Sequence, residues 1–260
     1  MKQILKMFDK VVLNSFLVNI RKIIHVNRLL IRYPNDESFV SIQLNYRRKD
    51  NLFSNLCQKY GTDKGQTASQ FHSHKLQRAV HTYSDFYELM FLHMRMEVLN
   101  VFECGIGSNS DIFPSSMGKL GTPGASLRVL KDYFPSAQIV GADIDEMCLF
   151  EEDRIKTYAL DQCNVASINN FWGNFVDTKF ELMIDDGLHT FEAGSTLFEN
   201  SISHLAKDGF YIIEDVLRSD LDKYEKFFMD LNYLVFYVHI TRNGMSVADN
   251  NLILVRKIWN

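Results

Sequence analysis

Proline is scarce in this chain, with four in 260 residues, so few elements are broken from within. The four cysteines, Cys57, Cys104, Cys148 and Cys163, have no paired or metal-like spacing. That excludes a disulfide-stapled scaffold and a cysteine zinc centre, and it suits free thiols in a reducing, cytoplasmic setting. His72 and His74 lack a Cys or His partner at zinc-finger spacing. No window reaches the ~18 uncharged apolar residues needed for a membrane span. Lys2, Lys6, Asp9 and Lys10 interrupt the opening apolar run, so it does not read as a signal peptide. The formal net charge of -4 lacks the basic excess of a general nucleic-acid binder.

Apolar material is plentiful. Hydrophobic residues make up 46%, with 20 Phe and 11 Tyr, enough for one sizeable α/β core plus an N-terminal extension. Charge is uneven: residues 1–50 hold ten Lys/Arg against four Asp/Glu, leaving 18 against 28 in the remainder. The extension alternates apolar and basic positions at helical spacing (Ile4, Leu5, Phe8, Val11, Val12, Phe16, Ile20), which predicts amphipathic helices. A homo-oligomer contact through those helices is one expectation; docking on the same protomer is another. Three regions follow: 1–50, the extension; 51–98, a helical cap or lid; and 99–260, the main domain.

From residue 99 short apolar runs at 99–104, 138–143, 156–160, 180–185 and 209–213 alternate with helical patterns at 125–134, 146–152, 166–175, 190–206 and 219–230. Strands alternating with helices imply right-handed crossovers and a parallel sheet. Tyr233–Ile240 and Asn251–Ile258 leave no room for a helix between them and must pair antiparallel. The expected fold is a Rossmann-like, doubly wound, mostly parallel sheet of seven strands closed by an antiparallel pair. That ending separates methyltransferase-type sheets from dehydrogenase ones. Asn51–Tyr60 and Tyr83–Val98 read as helices preceding it.

The acidic residues fall where such strands end, the usual ligand-binding edge of an open α/β sheet. Glu103 precedes Gly105 and Gly107, whose missing side chains let backbone approach a ligand. The third glycine of the dinucleotide fingerprint is absent, which disfavours a pyrophosphate cofactor and an NAD-dependent oxidoreductase. A carboxylate at Glu103 can accept from an ammonium, although an ordinary glycine turn fits the same residues. Asp143, with Asp145 as competitor, can accept from ribose hydroxyls. Asp161 beside Gln162 can accept from an adenine amine, or serve as a turn or N-cap residue. The long loop 108–124 carries Asn109 and Asp111 as candidate contacts, and Ser126 opens the next helix.

Adjacent carboxylates Asp185 and Asp186 repel unless protonated, hydrogen-bonded or bridged by a cation. Glu214 and Asp215 end the neighbouring strand, ~5 Å away, and three converging carboxylates suit Mg²⁺. His189, three residues past Asp186, is placed to act as a general base. Residues 60–65 form a polar glycine-bounded loop that, with His81 and Tyr83, can fold over the crevice.

Five segments together resemble class I S-adenosylmethionine-dependent methyltransferases: Glu-Cys-Gly-Ile-Gly (103–107), Pro-Gly-Ala-Ser-Leu-Arg (123–128), the run from Phe134 to Asp145, Asp-Asp-Gly-Leu-His-Thr-Phe-Glu (185–192) and Tyr-Ile-Ile-Glu-Asp (211–215). More narrowly they resemble metal-dependent O-methyltransferases of macrolide-sugar and cephalosporin tailoring, a subgroup to which Tyr-Gly-Thr-Asp-Lys-Gly (60–65) also belongs. The resemblance covers about residues 52–258. It implies S-adenosyl-L-methionine and Mg²⁺ as cofactors, with Glu103, Gly105 and Gly107 at the methionine, Asp143 at the ribose and Asp161 at the adenine. Tyr60, Thr62, Lys64, Ser126 and Asp185 are read as further cofactor contacts, and His81 and Tyr83 as acceptor contacts. It implies Asp186, Glu214 and Asp215 as metal ligands, and Asp186 and His189 as catalytic residues. The expected reaction is O-methylation of a small sugar-like or phosphorylated acceptor. Competing readings are a metal-independent methyltransferase and a non-catalytic subunit that binds the cofactor.

Overall fold

The computed structural model describes residues 51–65, 81–119, 121–240 and 250–257. The basic extension 1–50, with the oligomer contact expected of it, and His72 and His74 lie outside the described residues. Helix α1 (Leu52–Tyr60) is capped by Asn51, whose Oδ1 accepts from the Ser54 amide at 2.8 Å. Gly61 ends it at a φ of 80°, a left-handed stop that glycine adopts without side-chain strain. A 3₁₀ turn at Asp63–Gly65 follows, and α2 (Ser84–Phe91) is shorter than the expected Tyr83–Val98 because 92–97 continue as turns.

The α/β portion runs β1 (Asn100–Cys104), α3 (Ala125–Tyr133), β2 (Gln138–Asp143), β3 (Glu151–Glu152), β4 (Ile155–Ala159), α4 (Val165–Trp172), β5 (Phe180–Asp185), α5 (Phe191–Ser201), β6 (Leu205–Ile213), α6 (Leu221–Met229), β7 (Tyr233–His239) and β8 (Asn251–Lys257). The sheet order is β3-β4-β2-β1-β5-β6-β8-β7. Strands β4, β2, β1, β5 and β6 are parallel, and β8 pairs antiparallel with both β6 and β7. The expected parallel sheet with its antiparallel ending is therefore present, with eight strands rather than seven.

The eighth strand comes from residues 146–152, expected as a helix. Asp145 caps only a 3₁₀ turn (Glu146–Cys148), and Arg154 at a φ of 58° reverses the chain, so Glu151 and Glu152 pair antiparallel with Lys156 and Ile155. The intervening residues are too few for helix nucleation to repay its entropy.

Side chains along each strand alternate between the two faces. Val101, Ile139, Leu182, Ile184 and Ile212 meet α1, α2 and α3, burying Phe53, Tyr87, Phe91, Leu127 and Tyr133. Phe102, Val140, Met183, Tyr211 and Ile213 meet α4, α5 and α6 through Phe171, Trp172, Phe198 and Phe228. Residues 51–65 and 81–98 thus contribute to the same core as the sheet. Among the described residues no helix is long and apolar enough to cross a membrane.

Phe102 centres the second face, with ring centroids 5.2 Å from Phe171, 5.0 Å from Trp172 and 6.2 Å from Phe180. Phe102→Ala removes that ring from a fully buried site and is expected to cost about 3–5 kcal/mol, read as a lowered urea midpoint at unchanged slope.

Candidate active site

The site begins at the carboxyl end of β1. Gly105 (φ 86°) and Gly107 (φ 92°) adopt left-handed backbone there. A Cβ on Gly105 would lie 2.0 Å from the Asp186 carbonyl oxygen, so the turn after β1 and the end of β5 meet backbone to backbone. The Asp186 amide donates to the Cys104 carbonyl at 2.8 Å across that contact, while the Gly105 amide ties the turn to β2 through the Ala142 carbonyl, also at 2.8 Å.

Strand parity then decides which acids meet. Glu103 shares a face with Val101, and Glu214 follows Ile213 onto the face of Ile212. Both point toward the 60–65 loop, where Lys64 is buried at 5% exposure. Its Nζ lies 2.6 Å from Asp186 Oδ2 and 3.4 Å from Glu103 Oε1, and forms a short ion pair with Glu214 Oε2. Ser126 Oγ donates to Glu103 Oε2 at 2.8 Å, and Tyr87 donates its hydroxyl proton to Glu214 Oε1. Burial opposes charge on Lys64, but Asp186, Glu214 and Glu103 together keep it protonated well above the usual range. Burial pushes Glu103 up to about 7 and Glu214 up to about 8, with Lys64 pulling both back.

One step further lie Asp186, His189 and Asp215. One ligand atom from each falls within 4.8 Å of the others, a spacing that suits a divalent cation. His189 Nε2 is 3.3 Å from Asp186 Oδ1 and 3.8 Å from Asp215 Oδ2. His189 and Asp215 both have positive φ, 58° and 54°, unusual for non-glycine residues and typical of functional positions. Asp186 stays well below the carboxylate range: burial works against its charge, and Lys64 and His189 overcome it. Burial also opposes charge on His189, yet the hydrogen bond to Asp186 and the charges of Asp186, Asp215 and Asp185 push it up to about 10. A ring held protonated cannot accept a proton. Base chemistry at His189 therefore needs positive charge at its carboxylate neighbours.

Asp215 is held from α2 as well. Tyr83 donates its hydroxyl proton to Asp215 Oδ1 at 2.6 Å and accepts from the Asp215 amide at 3.1 Å; His81 Nδ1 lies 3.1 Å from the same Oδ1. Burial pushes Asp215 up to about 6. Thr82 and Asn250 exchange hydrogen bonds at 3.1 and 2.9 Å, tying this segment to the start of β8.

The other sequence-predicted residues have partners of their own. Tyr60 donates to Asp132 Oδ2 at 2.5 Å. Asp132 is in the last turn of α3, roughly 10 Å along the axis from the end facing the site. Tyr60 therefore does not line the crevice. Tyr83 is fully buried behind Asp215, so it positions that carboxylate and does not face an acceptor. Asp161 takes the turn role: its Oδ1 accepts from the Cys163 amide, while Asn164 caps α4. Asp143 spends its carboxylate on the turn amides of Ile106, Gly107 and Asp145 at 2.9, 3.2 and 3.0 Å. Asp145 accepts from Ser108, and Asn109 closes its own loop by donating to Gly118 and Gly121. Asp185 faces away from Asp186 and accepts from Gln162 Nε2 at 3.1 Å, which separates the two adjacent charges. Thr62 is buried beside Lys64, its amide donating to Cys57. Tyr87 was not foreseen, though its spacing of four from Tyr83 on one helix was visible.

No protein-family model matches the chain. It is 31% identical over 140 residues to the 8-demethyl-8-alpha-L-rhamnosyl tetracenomycin-C 2'-O-methyltransferase of Streptomyces olivaceus, covering 54% of this chain and 34% of that protein. It is likewise 31% identical over 138 residues to the demethylmacrocin O-methyltransferase of Streptomyces fradiae, covering 53% and 32%. The mycinamicin VI 2''-O-methyltransferase of Micromonospora griseorubida is 30% identical over 137 residues, again 53% and 32%. The matched stretch thus spans about a third of each relative's own length. In structure, the MycE methyltransferase of the mycinamycin pathway, solved with Mg, SAH and mycinamycin VI, superposes with a TM-score of 0.58 at 24% identity, covering 81% of this chain and 55% of that one. The chain has the fold of the S-adenosylmethionine-dependent methyltransferases and is similar in sequence to sugar O-methyltransferases of antibiotic tailoring.

Proposed function

We propose that the protein methylates a hydroxyl oxygen of a small sugar-like or phosphorylated acceptor, using S-adenosylmethionine and a divalent cation, Mg²⁺ by its oxygen-rich surroundings. The observation carrying this reading is the convergence of Asp186, His189 and Asp215 beside the Gly105–Gly107 turn, at the ends of β1, β5 and β6. The similarity to sugar O-methyltransferases supports the acceptor class. The antiparallel β8 between β6 and β7 favours a methyltransferase over an NAD-dependent oxidoreductase.

The donor set fits a hard divalent cation: two carboxylates within reach of one point, Glu214 beside them, and an imidazole at the edge. When bound, the cofactor supplies an electrophilic methyl and the cation lowers the acceptor hydroxyl's pKa and fixes its position. Asp186 and Asp215 would hold the cation, with Glu214 as third carboxylate. Glu103, Gly105 and Gly107 hold the methionine end, with Ser126 fixing Glu103 in place. Gln162, bridging Asp185 and the Leu188 amide, shapes the adenine side. His189, through Nε2, would be the group to take the acceptor hydroxyl's proton, with Asp186 and Asp215 orienting its ring. Alignment of these groups is where the enzyme gains most, since orientation supplies several kcal/mol.

Incubation with isotopically labelled S-adenosylmethionine and rhamnosyl or related glycosides should yield an alkali-stable methyl ether. Cofactor binding without transfer to any glycoside or phosphorylated sugar would leave a binding module. Asp186→Ala should lower turnover by about a hundredfold or more while changing cofactor affinity little, since it removes a transition-state contact. Chelation should silence the wild type, and Mg²⁺ should restore it.

Gly105→Ala tests the glycine turn at the carboxyl end of β1. Its Cβ would strike the Asp186 carbonyl, and its φ is unfavourable for alanine, costing about 1–3 kcal/mol. Binding of S-adenosylhomocysteine, measured by calorimetry, should fall sharply.

A further inference from the structure

Lys64 ion-pairs with acids from both halves of the site. Its ammonium contacts Glu103, at the cofactor turn, and Asp186 and Glu214, at the proposed cation position. On Asp186 the two oxygens are shared out: Oδ2 to Lys64 and Oδ1 to His189. On Glu214, Oε2 goes to Lys64 and Oε1 to Tyr87. An oxygen on each of two carboxylates that a divalent ion would use is therefore already held by one side-chain cation.

Glu103 shows the opposite situation. Its Oε1 is buried and accepts no hydrogen bond, although Lys64 Nζ stands only 3.4 Å away. A buried carboxylate oxygen without a donor is costly unless a partner can reach it. The flexible four-carbon stem of lysine permits the short step from 3.4 Å to hydrogen-bond distance.

We propose that Lys64 is a tethered counter-cation that competes with the divalent ion, holding Asp186 and Glu214 until the ion binds and then shifting onto Glu103. This rests on the cation reading of the preceding section and adds a positioning role for Lys64 that links the metal half to the cofactor half. Among the described residues, and without a divalent ion, the basic side chains beside Glu103, Asp186, Glu214 and Asp215 are Lys64, His189 and, on Asp215, His81. The ammonium keeps that buried charge tolerable. When the ion arrives, the displaced ammonium meets the waiting oxygen of Glu103, so its release does not strand a buried charge.

The test is a double-mutant cycle on the full chain, free of cofactor, reading Mn²⁺ affinity by calorimetry and by the loss of its free electron-paramagnetic signal. Lys64→Met should tighten Mn²⁺ binding about tenfold, because the competitor is gone, within the usual range of coupling between sites. Glu103→Gln should weaken it about fivefold despite not being a ligand, because the ammonium loses its destination. In the Lys64→Met background that weakening should vanish. Unchanged or weaker binding in Lys64→Met overturns the inference, as does a Glu103→Gln effect that persists without Lys64. If Lys64→Met does not fold, Glu103→Gln alone decides: unaltered affinity overturns the proposal. Absence of Mn²⁺ binding to the wild type would overturn the cation reading as well, whereas binding indifferent to Lys64 overturns this inference alone.

Discussion

The buried ammonium of Lys64 is the constraint on which the centre of this molecule depends. Three carboxylates from three different strand ends, Glu103, Asp186 and Glu214, are brought together around it. Buried charges on this scale are tolerated only when paired and hydrogen-bonded. The hydroxyls of Ser126 and Tyr87 add hydrogen bonds to Glu103 and Glu214. Without the ammonium, the like charges gathered at these strand ends would repel one another.

The arrangement is sustained by helices α1 and α2 and the 3₁₀ turn that carries Lys64. Residues 51–65 and 81–91 pack their aromatics, Phe53, Tyr83, Tyr87 and Phe91, into the core shared with β1 and β6. Phe53 and Tyr87 stack at 4.8 Å, and Tyr87 in turn reaches Glu214. A packing face thus doubles as a clamp: the ring supplies burial, and the hydroxyl at its tip orients a carboxylate. Structure and site are not separable there, which is why the two adjacent acids Glu214 and Asp215 can be steered in different directions by two tyrosines one helical turn apart.

Much of the site was legible in the chain. Each acid at the end of an apolar run does stand at a strand end, and Glu103, Asp186, Glu214, Asp215 and His189 do converge. The period-2 rule even sorts Asp185 from Asp186, since consecutive strand residues face opposite sides. What was not legible is competition among partners. Asp143 and Asp161 look equally free on paper, but nearby turn amides claim the first and a local turn claims the second. Tyr60 lies in the same motif as Lys64, yet the C-terminal end of α1 carries it to Asp132 at the far end of α3. Residues 146–152 fail as a helix for a similar local reason, a reversal at Arg154.

By itself, the sequence determined the class of sheet, the edge of that sheet where chemistry gathers, and the residue types available there. Periodicity and chain connectivity act through local sterics and the handedness of crossovers, which are already encoded in order and spacing. Only the tertiary structure decided which acid neutralises which cation. That Lys64, some 120 residues before Asp186 and 150 before Glu214 in the chain, should sit between them depends on how α1, α2 and the strands pack together. Electrostatic pairing is set by distance and burial in space, and neither can be read from distance along the chain.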